Sequence, residues 1–169
     1  PLIAPVQFFR LRPDNFPTIR LSQLANLYGT HLNLFSQIIE ANAVKQLYRI
    51  FQVPASPYWQ SHYLFDHTSK AKAKSTTQSF IDLLIINTII PVQFAYAKNR
   101  GKENIDGIIT LLESIKSEQN STVEKFRTIG IDAENAFESQ SLLQLKNEYC
   151  NKGRCLECAI GIDLLKENK

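Results

Sequence analysis

From Thr18 onward, Ile19, Leu21, Leu24, Ala25, Leu27 and Tyr28 recur at helical spacing, with Asn15 or Thr18 as cap and Gly29 as stop. The same periodicity predicts a helix over residues 31–41, on Leu34, Phe35, Ile38 and Ile39, and another over residues 43–51, on Val44, Leu47, Tyr48 and Phe51. Pro54 and Pro57 close this group. Ahead of it, Pro1, Pro5, Pro13 and Pro17 are too dense for a helix, so residues 1–17 read as an irregular wrapping segment.

Residues 58–65 are rich in aromatics and predict a helical turn that docks Trp59 into the core, followed by a polar loop over residues 66–77. Residues 80–98 are apolar nearly all round, as expected of a buried central helix, which Pro91 should kink or split and Gly101 should end. Further helices are predicted over residues 105–115, from a capping box at Ser121-Thr122-Val123-Glu124 to Ile129, over 135–149 and over 155–166. No segment alternates with period two for long. The expectation is therefore an all-α fold: a single domain over 1–169, with roughly eight helices in hairpins around a central apolar helix.

Composition leaves that picture intact. The 169 residues are 44% hydrophobic and 21% charged, near the globular average, which excludes a disordered or fibrous chain. The net charge of +3 is uneven: residues 1–75 carry 8 Lys and Arg against 3 Asp and Glu, whereas residues 76–169 carry 11 against 13. An anionic partner for the first part is one reading, and an ordinary surface is the other. The polar residues Asp82, Asn87 and Gln93 argue against a membrane span in the apolar run. No signal peptide is visible, and three cysteines form no closed disulfide set, so the expected compartment is the cytoplasm. Absence of methionine and a start at Pro1 suggest a piece of a longer protein, with methionines missing from the written sequence.

The candidate chemistry is sparse. Cys155 and Cys158 have the gap that lets two thiolates grip one ion, and Cys150 reaches the same point if residues 151–154 fold back. His62 is the first choice of fourth ligand, with His67 or His31 in reserve. Zinc is the candidate ion, an iron–sulfur cluster the second, and a metal-free turn with semi-buried thiols the alternative to both. Arg10, Arg12 and Arg20, with Lys70, Lys72 and Lys74, interleave with aromatics and suit phosphates and bases. Their alternative is a set of core plugs and helix caps.

Ser69-Lys70-Ala71-Lys72 matches S-x-x-K without its companion elements, and no H-E-x-x-H, P-loop or G-x-G-x-x-G occurs. Asp82 and Asn87 stand out on an apolar helix, where a structural hydrogen-bond network and a hydrolytic site near Asp82 and His62 are the two readings.

The segments FFRLRPDNFPTIRLSQLANLY, YWQSHYLF, IDLLIINTIIPVQFAYAK, FESQSLLQLKNEYC and CLECAIG resemble the C-terminal helical half of an uncharacterised bacterial family, domain of unknown function 2851. The resemblance extends over essentially the whole chain, and it implies a preceding N-terminal domain of the same protein as partner. It implies no reaction, but it places Arg12, Pro13, Asn15, Phe16, Pro17, Arg20, His62, Tyr63, Asp82, Asn87, Cys150, Cys155 and Cys158 in family motifs. Three functional expectations follow: a non-catalytic helical domain with a metal at the cysteine turn, a nucleic-acid-binding or processing protein with a basic N-terminal face, and a hydrolase.

Overall fold

The computed structural model describes residues 7–102 and 104–167; residues 1–6 of the expected wrapping segment lie outside that set. With 65% of the chain helical and one two-stranded sheet among the described residues, the fold is all-α. The chain divides into two compact units, Pro1–Glu103 and Asn104–Lys169.

In the first unit a 3-10 turn, Pro13–Asn15, leads into α1 (Pro17–Thr30). Neither Asn15 nor Thr18 caps it: the N-cap is Phe16, without a side-chain hydrogen bond, and Pro17 supplies a preset φ and one fewer orphan donor. The two expected caps are used elsewhere, since Asn15 Oδ1 accepts from Arg20 and Thr18 Oγ1 donates to Tyr63 O at 2.7 Å. Gly29 stays inside the helix, which ends when His31 takes an extended backbone. The short helices α2 (Leu34–Glu40) and α3 (Val44–Phe51) follow, the latter burying Val44, Leu47, Ile50 and Phe51.

The aromatic stretch forms the predicted turn, a 3-10 helix over Pro57–Gln60, and Trp59 is buried in a cluster with Ile19 and Ala55, flanked by Phe16 and Tyr63. It then continues into a hairpin of β1 (His62–Leu64) and β2 (His67–Thr68), with Asp66 at φ 61° in the bend. Residues 69–76 are not a free loop. Ser69 N donates to Ser61 O, Lys72 N to Gln60 O, Ala55 N to Lys74 O and Thr76 N to Val53 O, which pins the segment along residues 53–61.

Thr77 caps α4 (Gln78–Leu84), which passes through a π turn at Ile85–Ile89 into α5 (Ile90–Asn99). Pro91 has no N–H and its ring crowds the preceding turn. The wider π turn, in which Ile90 N reaches back to Ile85 O, accommodates it, so the two pieces remain one 22-residue helix, Gln78–Asn99. Counted that way, the described residues hold eight helices.

By length and composition that helix is apolar enough to cross a membrane. It is less enclosed than the sequence predicts, because only 33% of its apolar window is buried. Its inner face carries Ile81, Ile85, Ile86 and Ile89, while Leu83 and Phe94 are exposed. Gln93 is buried and donates to Ile38 O and Ala41 O, tying α5 to the end of α2.

The second unit holds α6 (Ile105–Glu113), α7 (Ser121–Thr128) and α8 (Ala136–Gln144), capped by Asn104, Asn120 and Asn135. The expected capping box is displaced by one residue, since Asn120 Oδ1 accepts from Thr122 N and Val123 N and Ser121 becomes the first helical residue. Ile115, Val123, Ala136 and Ser139 form its buried centre. After a π turn at Leu145–Tyr149 come 3-10 turns at Cys150–Lys152 and Cys155–Glu157, and then α9 (Ala159–Glu167). The predicted helix over 155–166 is broken at Cys158, whose backbone is extended. Gly161 permits the close seat of α9 on this turn, where a Cβ would collide with the Cys155 carbonyl.

Candidate functional site

Arg20, Gln23, Leu24 and Leu27 stand at i, i+3, i+4 and i+7 on α1, so they share one face. That face looks into a cavity of about 250 Å³, whose other walls are Phe51 and Val53 at the end of α3, Thr76, and Phe80, Ile81 and Leu84 of α4. The walls are almost wholly apolar, and Arg20 is the ionised side chain among them.

Arg20 is half-buried and tightly held. Its Nη1 donates to Gln23 Oε1 at 2.9 Å and its Nη2 to Asn15 Oδ1 at 2.5 Å, while the guanidinium carbon lies 3.6 Å from the Phe80 ring centroid. Gln23 is in turn fixed by donating to Lys74 O at 3.1 Å. No carboxylate forms an ion pair with Arg20 among the described residues. Burial lowers the guanidinium's pKa from its ordinary value, and the more distant charge of Asp14 opposes that shift.

Beside this face, Asp14 accepts from Lys72 Nζ at 2.9 Å and from Tyr63 Oη at 3.2 Å. The Lys72 hydrogen bond holds the Asp14 carboxyl below its ordinary value of 3.8, with partial burial acting the other way and Tyr63 adding to the lowering. A folded pKa below the unfolded one means that this group's stabilisation is present above pH 3.8 and is lost as pH falls through the folded value. In a carboxyl-detected NMR titration, Asp14 is expected to have its midpoint below 3.8 and Lys72→Met to raise it. An unmoved midpoint would show that the pair does not persist in solution.

The six cations expected to form one basic face do not. Lys74 is buried: Nζ donates to Trp59 O and to Gln60 O, at 2.5 and 2.8 Å, and lies 4.0 Å from the Tyr63 ring centroid. Two backbone carbonyls and a ring take the place of solvent, so it is not part of a surface. Lys72 is paired with Asp14. Arg20 lies along the cavity wall. Arg10, Arg12 and Lys70 are exposed, and Arg10 stacks on its neighbour Phe9.

Asp82 and His62 are engaged separately. Asp82 Oδ1 accepts from Tyr48 Oη at 2.6 Å, whereas His62 stacks on Tyr58 at 4.1 Å with Nδ1 directed at Tyr58 O, 2.9 Å away. Neither lines the cavity at Arg20. Asn87 donates to Leu83 O within its own helix. In the second unit Cys150 and Cys155 are exposed and Cys158 partly so, all three as free thiols. Among the described residues no group of three His, Cys, Asp or Glu side chains is placed to share an ion. Lys152 and Arg154 pair with Glu148 and Glu157, at 2.5 Å each.

A second cavity of about 480 Å³, lined by Phe8, Leu21, Trp59, Leu64 and Phe65, lies on the opposite face of α1 and has no charged wall. The cavity at Arg20 was not anticipated from the sequence, where Arg20 reads as one phosphate-binding cation among six. A signal for it exists, because Arg20 shares its helical face with Leu24 and Leu27 and thus lies on an apolar stripe.

Residues 3–121 match the family described as "Protein of unknown function (DUF2851)". The match contains every residue of both cavities and ends before the cysteine turn, short of the whole-chain likeness expected. No curated protein and no solved structure matches the chain.

Proposed function

The chain belongs to the DUF2851 family, and from that premise we propose that it is a non-catalytic binding domain whose ligand site is the cavity between α1, the end of α3 and α4. One observation carries the reading: a preformed apolar cavity with a single clamped cation on its wall. Small-molecule sites are commonly of this kind, with largely apolar walls and a few fixed polar groups. General acid–base chemistry, by contrast, needs a titrating group within reach of the bound molecule. The candidates for it, Asp82 and His62, are held elsewhere by Tyr48 and Tyr58.

Titrating ¹⁵N-labelled protein with 1-octanol tests the site. Amides of Leu24, Leu27, Val53, Ile81 and Leu84 are expected to shift together and saturate, and Leu24→Trp, which fills the mouth, should abolish the response. Shifts scattered over the surface, or undiminished in the Leu24→Trp protein, would overturn the assignment.

A further inference from the structure

We infer that the ligand of this cavity is a single-chain anionic amphiphile, with an apolar tail inside and its carboxylate on Arg20; the inference rests on the cavity reading above. Size gives the first constraint. An apolar cavity of about 150 Å³ takes up benzene. Scaled to about 250 Å³, the space suits on the order of ten carbon atoms.

Charge gives the second constraint. A guanidinium taken partly out of water without a counter-charge is costly. Around Arg20 the protein supplies two neutral amide oxygens and an aromatic face, none of which neutralises it. The nearby carboxylate, Asp14, is committed to Lys72 and Tyr63. Among the described residues Asp14 thus stands beside three cations, Arg20, Lys72 and Lys74, and the local balance is positive.

Donor geometry gives the third. A guanidinium has five N–H groups, and two of Arg20's are used by Gln23 and Asn15. The remaining three have no acceptor among the described residues. Phe80 and the two amides hold the planar fork in place before any ligand arrives, which is the condition for a forked contact to a carboxylate.

Calorimetry on the full chain with octanoate, 1-octanol and octylammonium tests this. Octanoate is expected to bind about tenfold more tightly than 1-octanol and octylammonium most weakly, since a charge-assisted pair contributes on that order. Arg20→Gln should cost octanoate about tenfold and so lose the preference for octanoate over 1-octanol, and Arg20→Lys should keep a reduced preference. Equal binding of octanoate and octylammonium by the native chain would overturn the anion assignment and leave the cavity reading standing, whether or not the Arg20 variants fold. A folded Arg20→Gln protein with unchanged octanoate affinity would do the same. No binding of any of the three would overturn both.

Discussion

Trp59→Ala is expected to lower the unfolding free energy by about 3 kcal/mol, the lower end of the range for truncating a buried tryptophan. Trp59 is 9% exposed and packs on Ile19 and Ala55. Its ring meets Tyr58 and Phe65 edge-on, at 5.0 and 5.1 Å between centroids. The lower end applies because the ring also walls the open 480 Å³ cavity, so part of the void left behind would fill with water. With a urea slope of about 2 kcal/mol per molar, the midpoint should fall by about 1.5 M. A loss under about 1 kcal/mol, the scale of an average substitution, would mean that this cluster is not the centre of the first unit.

Lys74→Met is the second large effect, about 2 kcal/mol of destabilisation. Methionine keeps much of the buried stem but removes the donor to Trp59 O, leaving that carbonyl buried and unpaired; Gln60 O still accepts from Lys72 N at 2.9 Å. Relief from burying an ammonium offsets part of the loss, and burial indeed lowers the pKa of Lys74, with Asp14 opposing and Lys72 assisting. The control is Lys70→Met, at an exposed position, where the change should stay within about 0.5 kcal/mol. Denaturant midpoints of the two variants decide the matter. Equal, small shifts would return Lys74 to the surface.

These two residues also mark what the sequence makes legible. Helices announced by periodic apolar faces, such as α1 and α3, and the docking of Trp59 follow from residue pattern alone. The hairpin at residues 62–68 does not, because strands of three and two residues are too short to alternate. The burial of Lys74 was hidden for a related reason. Its partners are carbonyls 14 and 15 positions away, exposed to it only because residues 69–76 run along residues 53–61.

Caps moved by local competition. Asn15 is the stronger capping residue by type, yet Arg20 claims its oxygen and Pro17 makes a side-chain cap less necessary. The cysteine turn shows the converse, a pattern stronger in sequence than in space, since the break at Cys158 and the seat of α9 on Cys155 arrange backbone rather than thiols. The cavity is a tertiary product of three elements that are separate in sequence, and only its α1 face has a sequence signal.

The central claim concerns where an amphiphile sits, and a crystal structure of the chain grown with octanoate tests it most directly. The account predicts a carboxylate about 2.7–2.9 Å from the Arg20 guanidinium, with the tail between Leu24, Phe80 and Leu84. Octanoate density on another surface, or in the cavity with its carboxylate turned away from Arg20, would contradict it.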